Sequence, residues 1–259
     1  MQRWVRVEKE DRVGILALDR PEVHNAIDLD VLCQLEEAFA GFERDRRLRA
    51  VVVTGGNDKA FSAGGDIRAM RDLTLEEGRR FVEAGHRVLD RIAESRLVTI
   101  AAVNGAALGG GAELALACDI RVAAQGVRLG FPEVTLGLIP GWGGTQRAAR
   151  LLGPGRAKLL VLTGKTVRAE EAERLGLVEV VVPREDLMGT ALDIARRAAA
   201  ASPSAVRQAK TAIVHGGEEP LRHGLRLEIE SWMVNLAHPD RVEGLTAFLE
   251  KREPRWEEP

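Results

Sequence analysis

Cysteine is scarce in this chain of 259 residues, with Cys33 and Cys118 the two that occur. Two thiols cannot staple a chain of this length, so a disulfide scaffold is excluded. Both lie in apolar, helical-looking runs and are expected to be buried free thiols in a reducing compartment. A surplus of either charge is also missing: 37 Lys and Arg face 39 Asp and Glu, for a net charge of −2. No global basic field exists to hold nucleic acid or an anionic membrane. No apolar run is long enough to span a bilayer, because the best candidate, 97–118, is broken by Asn104, Glu113 and glycines. The N-terminal Met-Gln-Arg-Trp-Val-Arg-Val-Glu-Lys-Glu lacks a secretory or transit pattern, so a cytoplasmic location is expected. Tyrosine is absent and arginine outnumbers lysine by 31 to 6. That bias fits a heat-adapted source and a GC-rich genome alike and bears little on function.

What is present is a core. Apolar residues make up 45% of the chain, enough for one α/β body with an appendage. Alternation at 4–7 and 13–18 predicts two strands around a polar turn. Asp28 can cap a helix whose apolar residues Val31, Leu32, Leu35, Phe39 and Phe42 recur at a period near 3.6. The runs 51–54 and 98–103 read as buried strands, and Thr74 with Glu77 forms a capping box for a helix reaching Glu94. A short helix over 112–117 and a strand over 120–123 follow. From about Arg168 the pattern turns mainly helical: a strand at 178–182, then helices at 187–200, 204–214, 218–237 and 240–252. The expected organisation is an α/β core over residues 1–200 and a helical region over 201–259.

Several signatures fail. Gly141-Trp142-Gly143 opens a dinucleotide fingerprint that breaks at Gln146, and Gly164-Lys165-Thr166 lacks the earlier glycine of a phosphate loop. The five histidines show no metal-ligand spacing, so no metal is expected. Ala60-Phe61-Ser62-Ala63-Gly64 resembles a nucleophile elbow with its first glycine replaced, which makes a Ser62 hydrolase the rival from another class. No histidine stands in a motif to serve it.

The stretch from Asn104 to Gly144 carries the chemistry. Glycines 109–111 sit between a buried strand and a short helix, where free N–H groups and a helix N-terminus suit a developing oxyanion. Glu113 lies inside an otherwise apolar helix, and Glu133 lies among apolar neighbours in Phe131-Pro132-Glu133-Val134. Two carboxylates so placed have their pKa values raised toward the range of proton transfer. A second glycine loop, Phe61-Ser62-Ala63-Gly64-Gly65-Asp66-Ile67, could supply another N–H to the same oxygen.

At these residues the chain resembles the enoyl-CoA hydratase/isomerase (crotonase) superfamily. The likeness runs through Leu18-Asp19-Arg20-Pro21 to Asn25-Ala26, then 61–67, 107–123 and 131–147. It ends on Glu243-Gly244-Leu245-Thr246-Ala247-Phe248-Leu249-Glu250-Lys251-Arg252. The resemblance implies a spiral of ββα units with a helical C-terminal trimerisation region, assembled as a homotrimer or a hexamer of two trimers. It implies acyl-CoA substrates with no separate cofactor, since CoA is part of the substrate.

Position by position, it assigns the oxyanion N–H groups to Gly65 and Gly110 and the hydratase carboxylates to Glu113 and Glu133. Gly141 falls beside the reacting water. Ala63, Asp66, Ile67 and Trp142 fall on the substrate, and Arg68, Phe248 and Lys251 on CoA, the last two from a neighbouring subunit. Two readings stand for Arg68, a CoA contact or a solvated surface charge, and two for Phe248, a CoA contact or simple core. Glu22 replaces an expected basic residue, and Trp142 stands where small residues are usual. His24 is expected to be structural. The activity implied is hydration of a trans-2-enoyl-CoA in fatty-acid or branched-chain degradation. An isomerase or methylglutaconyl-CoA hydratase is the alternative within the family, and RNA binding, which some relatives show, is the alternative outside enzymology.

Overall fold

The computed structural model describes residues 2–56 and 59–256. β1 (Val5–Glu10) and β2 (Val13–Leu18) form an antiparallel hairpin. α1 (Leu29–Arg44) follows, with the Asp28 side chain accepting from the Val31 N–H as expected of its cap. The chain then repeats one pattern. β3 (Ala50–Gly55) leads to β4 (Ala60–Ser62) and the helices α2 (Ile67–Met70) and α3 (Leu75–Glu94). β5 (Val98–Val103) leads to β6 (Ala106–Leu108) and α4 (Gly110–Ala117). β7 (Ile120–Ala124) leads to β8 (Arg128–Gly130), a 3₁₀ turn Pro132–Leu136, α5 (Gly144–Leu152) and α6 (Pro154–Thr163). β9 (Thr166–Arg168), α7 (Ala169–Leu175), β10 (Val180–Val182) and α8 (Leu187–Ala200) complete the body.

Among the described residues the first strand of each repeat joins a sheet ordered β1-β2-β3-β5-β7-β10, and the second joins a sheet ordered β4-β6-β8-β9. This is the ββα spiral. In the first sheet every pair beyond β1–β2 is parallel, and β3 is buried at all its positions, as its unbroken Val run requires. α8 packs across β2, β3, β5 and β7 on one face. Past Ala200 the chain continues as α9 (Pro203–Gly216), α10 (Leu221–Ala237) and α11 (Pro239–Glu250). Lys210 pins α9 to the body through Asp119 at 2.8 Å and the Leu97 carbonyl at 2.9 Å. Among the described residues no helix is long and apolar enough to cross a membrane.

Three expectations are corrected. Cys33 is exposed, because α1 turns Val31, Leu32, Leu35, Phe39 and Phe42 inward and leaves position 33 outside that stripe; only Cys118 is buried. Helical structure resumes at Gly144 rather than near Arg168, with starts at Gly143 (φ 102°) and Gly153 (φ 79°) that lack the side-chain caps a sequence reader looks for. The strand expected from Val178 begins at Val180.

Candidate active site

β4, β6 and β8 lie side by side and parallel, with Ala60 opposite Ala106 and Ala107 opposite Leu129. Their carboxyl ends therefore release three loops at one edge, the place where such sheets present ligand-binding residues. The loop after β4 carries Gly65, that after β6 leads into Gly110 and Glu113, and that after β8 carries Glu133.

The first loop is held from behind. Ile27 donates its N–H to the Gly64 carbonyl and accepts from Asp66, both at 2.8 Å, so the N–H of Gly65 between them faces the other way. The Ser62 hydroxyl donates to the Asn25 carbonyl at 2.8 Å and accepts from the Gly64 N–H at 3.1 Å. Gly64 adopts φ 93°, and a Cβ there would lie 2.9 Å from the Gly110 nitrogen. A Cβ on Gly110 would in turn lie 3.3 Å from the Gly65 nitrogen. The two peptide groups are thus neighbours, and among the described residues neither N–H has a hydrogen-bond acceptor. A pair of convergent, unspent N–H groups at a helix start is an oxyanion cradle.

Glu113 sits in the first turn of α4 and is 2% exposed. One oxygen, Oε1, accepts from the N–H groups of Trp142 and Gly144, each at 2.7 Å. Burial raises its pKa, and those two N–H donors, Arg147 and His86 oppose the rise. Glu133 stands on the 3₁₀ turn and is pushed up to about 7, chiefly by burial, with the like charge of Glu113 adding to it. Its Oε2 is buried and bonded to nothing among the described residues. Its Oε1 lies 2.9 Å from the place a Cβ on Gly109 would take, and Gly109 has φ 52°. Glu133 therefore leans over the entry of α4, at a position that needs glycine on both counts. One carboxylate is deeply buried and anchored by backbone donors, while the other is half-buried with one oxygen, Oε2, lacking any partner among the described residues. That difference in surroundings separates base from acid in paired-carboxylate chemistry.

The family model for enoyl-CoA hydratase/isomerase matches residues 8–259. This chain belongs to that family. It is 42% identical to the short-chain-enoyl-CoA hydratase of Clostridium acetobutylicum over 248 residues, 96% of this chain and 95% of that one. Identity to the crotonyl-CoA hydratase of Syntrophomonas wolfei is also 42%, with 95% of each chain covered. The crystal structure of an enoyl-CoA hydratase from Bacillus anthracis superposes with a TM-score of 0.96 at 40% identity, covering 99% of this chain and 100% of that one.

Within this family member the other sequence-derived residues divide. Trp142 is buried, its ring 5.1 Å from that of Phe81 in an edge-on pair, and Gly141 faces Val82. The Asp66 carboxylate is committed to structure: it caps α2 through the Arg68 N–H and pairs with Arg20 at 3.0 Å. Ala63, Ile67 and Arg68 are exposed on the rim. Phe248 is 82% exposed on α11, which rules out core for it within one chain, and Lys251 is exposed beside it. Among the described residues neither makes a hydrogen bond or ion pair with Glu113 or Glu133. Glu22 is exposed, and His24, at φ 54°, holds the loop by accepting the Ala63 N–H.

Sequence reasoning missed Arg20 and Asn25 as the props of the glycine loop. Arg20 joins Asp28, Asp66 and the Ala26 carbonyl, while the Asn25 amide donates to the carbonyls of Ala60 and Phe61. The signal was there in the Arg20-Pro21 to Asn25-Ala26 motif.

Ser62 is 0% exposed, and its hydroxyl is spent on the loop. That geometry overturns the nucleophile-elbow reading. Ser62→Ala is expected to leave turnover within about tenfold of the parent, because the cradle uses backbone donors. A trapped acyl-serine in the parent would contradict this.

Proposed function

We propose that the chain is an enoyl-CoA hydratase that adds water across the C2=C3 bond of a trans-2-enoyl-CoA to give a 3-hydroxyacyl-CoA. The observation that carries this is the placing of two differently solvated carboxylates, Glu113 and Glu133, beside the free N–H pair of Gly65 and Gly110. Its relatives among the short-chain-enoyl-CoA and crotonyl-CoA hydratases support it.

The thioester oxygen accepts from Gly65 and Gly110, which stabilise the enolate-like charge as it forms; each such donor contributes on the order of 3 kcal/mol in comparable sites. Glu113, ionised and held by Trp142 and Gly144, takes a proton from the water as its oxygen bonds to C3. Glu133, protonated, delivers its proton to C2. One proton has then crossed from the pair to C2 and one from water to the pair, and exchange with solvent restores the start. The thioester itself acidifies C2, so the reading calls on no metal or redox cofactor. Ala63, Ile67 and Arg68 fit a rim that receives the CoA arm, and the chemistry suits fatty-acid or branched-chain acyl-CoA degradation in the cytoplasm.

The test is crotonyl-CoA followed across pH. Loss of the enoyl absorbance with formation of 3-hydroxybutyryl-CoA is expected. A double bond that migrates without water addition would make the chain an isomerase of the same family. Because the pair must hold one proton, kcat/KM should fall above about 7, where Glu133 loses its proton, and fall again on the acid side as Glu113 gains one. Hydration consumes no net proton, so dehydration should follow the same profile. Activity still rising through pH 8 would contradict Glu133 as proton carrier.

Assembly belongs to the proposal. Leu225, Ile229, Trp232 and Met233 on α10, with Phe248 and Leu249 on α11, are each about half exposed or more in the single chain. Apolar surface on that scale fits burial between subunits, in a trimer or a hexamer. Light scattering at micromolar concentration should return the mass of three chains or six; an active monomer would overturn this.

A further inference from the structure

We infer that Trp142 limits the length of the acyl group the site accepts, with Gly85 as the notch that seats its indole; the inference rests on the hydratase reading above. Gly85 lies inside α3, where glycine is otherwise a poor choice. A Cβ at Gly85 would lie 2.1 Å from Cδ1 and Nε1 of Trp142 and 2.5 Å from Cε2, so a side chain at 85 and the indole cannot share the space. The far edge of the same ring occupies the space beside Gly110: a Cβ there would lie 2.4 Å from Cζ3 and 2.6 Å from Cε3. Phe81, one turn before Gly85, meets the ring edge-on at 5.1 Å. The indole thus spans from α3 to the oxyanion cradle and is 3% exposed, filling that space without a gap open to solvent.

The path of the substrate follows from the cradle. With the thioester oxygen on Gly65 and Gly110, C3 must stand near Glu113. Glu113 hangs from the N–H groups of Trp142 and Gly144, so carbons beyond C3 leave toward that turn. There they meet the indole, Phe81, and Val82, which packs 3.5 Å from the Cβ position of Gly141. A crotonyl group ends one carbon past C3. A longer tail has to expel a buried ring from between two glycines that fit it. The N–H that holds Glu113 belongs to the backbone of residue 142, so changing the side chain alters the wall while the carboxylate keeps that donor.

The experiment compares kcat/KM for crotonyl-CoA and trans-2-octenoyl-CoA. The parent should favour the shorter substrate by at least about tenfold, the usual scale for a tail that does not fit an apolar pocket. Trp142→Leu and Trp142→Ala should each raise the octenoyl-to-crotonyl ratio by at least about tenfold. Gly85→Ala should act oppositely, driving the ring into the pocket and raising KM for crotonyl-CoA, and this defect should vanish in Gly85→Ala combined with Trp142→Ala. A role in stability alone would not link chain length to the pair in this way. If Trp142→Ala is recovered unfolded, Trp142→Leu and Gly85→Ala decide the matter. Equal rates for both substrates in the parent, or an unchanged ratio in folded Trp142→Leu, overturn the inference while leaving the hydratase reading intact. A parent that hydrates neither substrate overturns the hydratase reading itself.

Discussion

Glu133→Gln is expected to slow hydration of crotonyl-CoA by roughly 10²–10⁴-fold, and Glu113→Gln by a similar factor, the range typical of general acid–base groups. Glutamine keeps the shape of each side chain and removes its proton chemistry. In Glu113→Gln the amide oxygen can still accept from Trp142 and Gly144, whose N–H groups reach Oε1 at 2.7 Å in the parent, so the fold of the 142–144 turn should survive. In Glu133→Gln the side chain keeps its place over Gly109 but has no acidic proton to give. The losses should fall well short of multiplying in the double variant, because residues that serve one water and one proton act as a unit. Substrate affinity should change little, since Gly65 and Gly110 remain. Removing Glu113 also removes a like charge from Glu133, whose pKa should drop from about 7. Steady-state kinetics on the three variants check all of this. Full hydration by either single variant would contradict the paired mechanism.

Gly110→Ala should be the most damaging change that touches no ionisable group. Its methyl would lie within 2.6 Å of two indole carbons, so either Trp142 or the start of α4 must move. Moving α4 displaces the oxyanion N–H, and loss of one such donor costs roughly 10²–10³-fold in kcat. Thermal melting separates this from unfolding: the variant should remain folded, with kcat rather than KM carrying the loss. A folded Gly110→Ala enzyme of parental kcat would mean that the indole yields and α4 stays in place, contradicting the expected displacement of the oxyanion donor.

Much of this site was legible along the chain because its parts break local rules. A carboxylate at 113 within an apolar helix, a glycine triplet between strand and helix, and Glu133 after Pro132 each stand out against their neighbours. Long elements with strong periodicity were legible too, from the Asp28 cap to the Thr74–Glu77 box that opens α3. What the sequence withheld is nonlocal. Gly65 meets Gly110 only because β4 pairs with β6, and those strands have three residues each, too few to show a period. The notch at Gly85 is invisible without Trp142, which is distant in sequence and adjacent in space. Cys33 was misplaced because the apolar run around it was read as burial, although the 3.6-residue stripe of Val31, Leu32, Leu35, Phe39 and Phe42 already leaves position 33 outside. The glycine starts of α5 and α6 carry no side-chain cap to announce them.

The division of labour between the carboxylates is tested most directly by following two reactions in deuterated water: hydration of crotonyl-CoA, and exchange of the C2 protons of butyryl-CoA, which has no double bond to hydrate. Exchange needs the cradle and the group at C2 alone. Glu113→Gln should lose hydration by at least roughly 10²-fold yet retain C2 exchange within about tenfold, and Glu133→Gln should lose both. Exchange that survives in Glu133→Gln, or that disappears in Glu113→Gln while hydration persists, would contradict the assignment of the C2 proton to Glu133 and of the water to Glu113.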